Sequence, residues 1–197
     1  IEAALQLKEQ CGGKVVLVSM APPDTVETLK EALAMGVDEA YLLSDRAFAG
    51  SDTLATAKIL AAGLKKIGQL DLILTGSESA DSGTSHVPSQ LGELLGLPHL
   101  NHITELSLEL PVIKMKAKIE NGYVEYEGRL PMVLGVAREI NTPRYTTLMG
   151  VVMAQNKPIT IWGLNDLGLD PAGTGLSGSP TQPGDLHFPR HGRKSEI

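Results

Sequence analysis

The stretch "LDLILTGSESADSGTSHVPSQLGELLG", residues 70–96, decides how this chain folds. Residues 70–75 form an apolar run of strand length, and residues 85–96 carry a helical pattern that closes on a glycine. Between them lies a loop crowded with glycine and small hydroxyl residues, longer than a simple connection needs. The same order recurs upstream. "KVVLVSM" (14–20) is a continuous, largely β-branched run, the pattern of a strand buried on both faces. "APPDTVETLKEALAMG" (21–36) follows, with Asp24 predicted as N-cap, Glu27 in capping-box position and Gly36 as the stop. "DEAYLLS" (38–44) reads as a strand, and "GSDTLATAKILAAGLKKIG" (50–68) as a helix with Leu54, Ala57, Ala61 and Leu64 on one stripe. "IEAALQLKEQCGG" (1–13) is an amphipathic helix stopped by Gly12 and Gly13. Strand and helix thus alternate as far as Gly96. Such alternation predicts parallel strands joined by right-handed crossovers, in an α/β fold of three layers, α/β/α, with a mostly parallel sheet.

The pattern then changes. "ELSLELPVIKMKAKIENGYVEYEGRLPMVLGVA" (105–137) shows period-two stretches around Asn121-Gly122, which predicts an antiparallel hairpin excursion. "PMVLGVA" returns as a buried strand. From Ile159 onward Gly, Pro, Ser and Asp dominate, so residues 1–158 are predicted as the α/β domain and 159–197 as an extended C-terminal arm that packs on a partner. The single Trp162 is expected to anchor that arm by packing.

Composition narrows the function. With 42% hydrophobic residues in 197, the chain can bury a sizeable core. Aromatics are only 4% and the net charge is −6, which argues against a base-stacking or phosphate-backbone partner such as nucleic acid. The lone Cys11 rules out an internal disulfide framework and suits a reducing compartment, so a cytoplasmic location is expected. No apolar run approaches a membrane span.

In open parallel sheets, ligands sit outside the carboxyl ends of the strands. Three loops fall there: "SMAPPD", "SDRAFAGSDT" and "GSESADSGTSH". Their small and hydroxyl residues, with Ser51, Thr53 and Thr56 at one helix start, suit an anionic group held by backbone N–H groups and helix N-termini. The same residue types also serve as caps and turn-formers, and neither G-x-G-x-x-G nor G-x-x-x-x-G-K-[ST] is present. Asp81, Ser85 and His86 lie close together, but no G-x-S-x-G elbow precedes them, so a hydrolytic triad is not expected. His99 and His102 lack an evident carboxylate or Cys partner nearby, and no metal site is predicted.

"LPMVLGVAREINTPRYTTLMGVVMAQNKPI" (130–159) resembles the signature of the β subunit of electron transfer flavoproteins, the group that includes the FixA-type proteins. The shared element is Asn-x-Pro-Arg-Tyr after a buried "LP" strand. "VVLVSMAPP", "EALAMGVDEAYLLSDRAFAGSDTLATAKILA", "DLILTGSES" and "GLSGSPT" are similar to the same family, so the likeness covers nearly the whole chain.

The resemblance implies a Rossmann-like fold, an α-subunit partner carrying a redox FAD, and an adenine nucleotide in the β subunit. That nucleotide is AMP in simple carriers and a second FAD in electron-bifurcating ones, where NADH is a possible electron donor. By position, the cofactor-binding set is Ser19, Met20, Ala21, Asp52, Thr53, Thr56, Gly76, Asp81, Gly83, Thr84, Ser85, His86 and Val87. "SDRAFAGSDTLAT" looks like the FAD form, whereas Gly83 and His86 depart from the family's loop. No catalytic residue is implied. Asn141, Pro143, Arg144, Tyr145 and Leu148 are implied as partner-docking residues, Leu148 resembling the apolar anchor through which simple carriers meet an acyl-CoA dehydrogenase. The family's nearby lysines are thinned here to Gln155, Asn156 and Lys157, so a different redox partner is expected. The family also begins with a central strand and a loop, and neither stands ahead of Ile1.

Overall fold

The computed structural model describes residues 1–80, 82–182 and 184. Helix and strand alternate first: α1 (Glu2–Cys11), β1 (Val16–Met20), α2 (Val26–Met35), β2 (Glu39–Leu43), α3 (Thr53–Ile67), β3 (Leu72–Gly76) and α4 (Val87–Leu95). Then come β4 (His99–Glu109), β5 (Val112–Ile119), β6 (Gly122–Arg129), β7 (Met132–Val136), α5 (Leu148–Gln155), β8 (Ile159–Trp162) and the short α6 (Leu164–Leu167).

The strands form two sheets. One is parallel throughout, in the order β1-β2-β8. The other runs β3-β7-β4-β5-β6, parallel from β3 through β4 and antiparallel from β4 to β6. The expected hairpin is there, with Ile119 opposite Gly122 across the turn that holds Asn121. β7 lies between β3 and β4, which accounts for the apolar, fully buried run Met132–Gly135.

Helices cover both faces of the three-stranded sheet. Leu5 of α1, Leu29 and Leu33 of α2 and Ala154 of α5 pack with Ala40 and Leu42 of β2 on one side. Ile59 of α3 packs with Leu43, Phe48 and Trp162 on the other. In the second sheet, Ile73 and Val133 meet Ala61 and Leu64 of α3 and Leu91 of α4. Helix α3 therefore serves both sheets. The architecture is the expected α/β class with helices on both faces.

Three local expectations change. β1 is half-buried along its whole length rather than buried on both faces. It and β3 are the outer strands of their sheets, and both line one cavity of about 1990 Å³, so among the described residues one side of β1 has no strand against it. Asp24 does not cap α2: Pro22 and Pro23 lead into a single 3-10 turn, Pro23–Thr25, and the α-helix starts at Val26 without a side-chain cap. Finally, the residues from Ile159 begin with a strand. β8 pairs with β2, placing Ala40 opposite Ile159 and Leu43 opposite Trp162. The Trp162 ring lies 4.6 Å from the Tyr41 ring centroid and 4.7 Å from Lys66 Nζ, so it anchors this segment by packing.

Candidate functional site

The loops after β2 and β3 meet over the same cavity. Ser51, Asp52, Thr53 and Thr56 reach it from the start of α3. Ser77, Glu78, Ser79 and Ser82 reach it from the β3–α4 loop, followed by Thr84, Ser85, His86 and Val87. Of the predicted cofactor set, Met20 and Gly76 also line it, whereas Ser19, Ala21 and Gly83 do not. Asp81 lies outside the described residues. The glycine-rich loop and the α3 start, far apart in sequence, are thus brought to one opening.

Local hydrogen bonds settle which groups are already committed. Asp52 is the N-cap of α3: its Oδ1 accepts from Ala55 N at 2.9 Å and its Oδ2 from Thr181 N at 2.9 Å. Burial works to raise this carboxyl, but those backbone N–H groups outweigh it and hold Asp52 below the usual carboxylate range. Asp52 N in turn donates to Ser179 Oγ at 2.8 Å, which ties "GLSGSPT" to the site. Asp52 therefore shapes the α3 entrance, while Thr53 and Thr56 line the cavity beside it.

At the other wall, α4 begins at Val87 with His86 as N-cap and no side-chain capping bond. Val87 and Pro88 line the cavity there, and since proline has no N–H, Val87 N is the first-turn donor of α4 on the cavity side. Ser85 Oγ donates to Glu78 Oε2 at 3.2 Å, and Gly83 N to Ser79 O at 2.9 Å, so the loop is turned on itself. Thr75 Oγ1, near the carboxyl end of β3, is buried without a hydrogen-bond partner among the described residues and lines the cavity. A buried polar atom in that position is suited to meet a polar ligand group. No group of three or more His, Cys, Asp or Glu side chains is arranged to hold a metal ion among the described residues.

The segment expected to dock a partner lies elsewhere. Arg144 spends its guanidinium within the chain: Nε reaches Glu2 Oε2 at 2.8 Å, Nη2 reaches Glu2 Oε1 at 3.0 Å, and Nη1 reaches Glu9 Oε1 at 2.5 Å. The guanidinium, acting against burial, pulls the Glu2 carboxyl down to about 2. Asn141 Nδ2 is buried with no partner among the described residues. Beyond this clamp Tyr145 is 96% exposed and Leu148 84%, and Met149, Val152 and Met153 continue an exposed apolar surface along α5. The helix itself is held firmly. Ala154 is buried, and Lys30 Nζ donates to the carbonyls of Ala154, Gln155 and Lys157 at its carboxyl end. A fixed helix with an apolar outer face is the form of an interaction surface.

The cavity runs along β1 and β3 from their amino ends and reaches the loops at their carboxyl ends, in an open-sheet α/β protein whose ligands would be expected at that second end. Comparison with known proteins gives the family. Residues 1–167 match the electron transfer flavoprotein domain, and the chain belongs to that family, on its β-subunit and FixA side. It is 44% identical over 183 residues to the caffeyl-CoA reductase–Etf complex subunit CarD of Acetobacterium woodii, covering 92% of this chain and 70% of that protein. It is 39% identical to the electron transfer flavoprotein subunit beta of Clostridium acetobutylicum, again over 92% and 70%. With the FixA protein of Azorhizobium caulinodans it shares 35% identity over 92% of this chain and 67% of that one. Among the described residues, no helix is long and apolar enough to cross a membrane.

Sequence reasoning missed Ser77 and Asn101. Ser77 is buried, donating its N–H to Val136 O at 3.0 Å and its hydroxyl to Gly135 O at 3.2 Å. Asn101 stands on β4, in a segment that reads as a plain turn into a strand. Neither carries a local signal, because each acts on residues distant in sequence.

Proposed function

We propose that the chain is the nucleotide-binding β subunit of an electron transfer flavoprotein complex, with FAD in the cavity and AMP as the alternative. The observation that carries this is the arrival of two helix starts, α3 and α4, at one hydroxyl-rich cavity. Thr53, Thr56 and the first turn of α3 would hold a pyrophosphate. Thr84, Ser85 and the backbone at Val87 would hold a second phosphate or the ribose. The α4 start would supply the positive potential, since the Asp52 carboxylate already caps α3 and the lining residues Lys8 and Lys14 are paired with Asp38 and Glu39. A bound flavin supplies hydride acceptance and one-electron transfer; the protein orients it and surrounds it with hydrogen-bond donors.

The likeness of "SDRAFAGSDTLAT" to the FAD form favours FAD, and the departures at Gly83 and His86 are what favour AMP. The complex would join this chain to an α subunit with its own redox FAD, and pass electrons between NADH or a dehydrogenase and other acceptors, by flavin-based bifurcation in the FAD case. CarD's place in a reductase–Etf complex supports such an assembly. Tyr145, Leu148 and the outer face of α5 would meet the redox partner, with Asn141, Pro143 and Arg144 setting the segment. Residues 159–197 would lie against the α subunit, and the complex would work in the cytoplasm. Purifying the αβ complex and counting released nucleotides tests the proposal. Two flavins per complex support the FAD reading, one FAD with one AMP replaces it by the carrier reading, and no nucleotide beyond the α-subunit flavin overturns both.

A further inference from the structure

Two non-glycine residues among those described hold a positive φ: Ser85 at 57° and His102 at 58°. Serine seldom adopts that region, histidine does so more readily, and a sparsely populated conformation persists only where its surroundings impose it. The two lie on different elements, yet both are bonded to one side chain. Asn101 Oδ1 accepts from His102 N at 2.8 Å, and Asn101 Nδ2 donates to Ser85 O at 3.1 Å. The second Nδ2 hydrogen reaches Ser77 O at 3.3 Å. Ser77 and Ser85 stand near the two ends of the β3–α4 loop, so one amide spans its mouth.

The fold has made room for this amide. The β4–β7 pairing loses register between Leu100 and Ile103, and such an irregularity re-aims the side chains within it. On β7, directly beneath, Gly135 carries no side chain, and a Cβ there would overlap the Asn101 amide oxygen. Both the register shift and the glycine serve the placement of one side chain.

We infer that Asn101 is the positioning residue of the nucleotide loop: it holds Ser85 in the left-handed conformation and so sets the Val87 N–H against a phosphate ester. This rests on the nucleotide reading above. The β4 strand thereby presets the loop before ligand arrives, and the cost of ordering it is met in folding rather than in binding.

The test uses the purified αβ complex with Asn101→Ala and Asn101→Asp. Removing the bonds to the loop should speed nucleotide loss roughly tenfold at pH 8, as expected for one or two net hydrogen bonds. Asn101→Asp should match Asn101→Ala at pH 8, because a carboxylate cannot donate. It should recover towards wild type near pH 5, where the carboxyl facing two carbonyls protonates and regains a donor. Asn101→Ala should show no such recovery, and a merely structural role predicts no pH rescue at all. In a Ser85→Gly background, where positive φ carries no penalty, the effect of Asn101→Ala should shrink. Unchanged nucleotide release in Asn101→Ala, or an effect undiminished by Ser85→Gly, overturns the inference. If the wild-type complex holds no nucleotide in this subunit, the functional reading fails instead. Hydrogen exchange at Ser85 and Val87 in the same variants then still reads whether Asn101 orders the loop, and unchanged exchange overturns that as well.

Discussion

Replacing Glu2 by Gln tests the clamp that fixes the Arg144 segment to the first helix. Glu2 is 6% exposed, yet both of its oxygens are used: they accept from Arg144 N, Nε and Nη2 at 3.2, 2.8 and 3.0 Å and from Gln6 Nε2 at 3.0 Å. A carboxyl held at about 2 rather than 4.5 corresponds to at most about 3 kcal/mol of folding stability, taking about 1.4 kcal/mol for each tenfold in proton affinity, and solvent screening at the partly exposed Arg144 lowers it. Glutamine keeps one acceptor for the guanidinium, so the loss should be nearer about 2 kcal/mol. The folded pKa is depressed, so this stability is fully present above about pH 5 and is lost as pH falls towards 2. Urea unfolding of both proteins across that range gives the difference directly, and the other carboxylates cancel in it. The gap should be about 2 kcal/mol at pH 7 and close towards zero by pH 2. A gap that is absent at pH 7, or equally wide at both ends, refutes the reasoning. The first result would mean that Arg144 gains nothing from Glu2, the second that the loss is packing rather than charge.

Gly135→Ala should force Asn101 out of its seat, lowering the thermal midpoint and releasing nucleotide from the complex; a variant with wild-type nucleotide content would show that the loop does not depend on that seat. Leu148→Ser, on the exposed face of α5, should leave stability within about 0.5 kcal/mol of wild type while raising KM for the redox partner several-fold in an electron-transfer assay. An unchanged KM would remove Leu148 from the docking surface.

Periodicity made most of the elements legible. Residues 70–96 read as strand, loop and helix, and they fold as β3 and α4 with the loop at the cavity. Asn121-Gly122 marked its hairpin, and the hydroxyls before α3 marked one wall of the site. Asp24 misled because a capping pattern is local, and the two prolines before it impose a 3-10 turn first. Val16–Met20 misled because an apolar run reports what a strand can bury, not which of its sides finds a partner. Arg144 was legible as part of a motif, but its partners on α1 could not be read, since nothing in a linear pattern links residues 142 positions apart.

What the chain's sequence determined by itself was the class of fold and the chemistry on offer. Alternating periods set strand and helix, β-branched runs set the parallel core, and small hydroxyl residues gathered at strand ends offered groups of the kind that suit an anion. Tertiary structure alone decided which of those groups meet. Asp52 is spent as a cap, the α4 start is left without one, and Asn101 and Gly135 interlock beneath the loop. Capping and ligand binding draw on the same residue types. Only the packing of distant strands settles which backbone donors a side chain has already claimed.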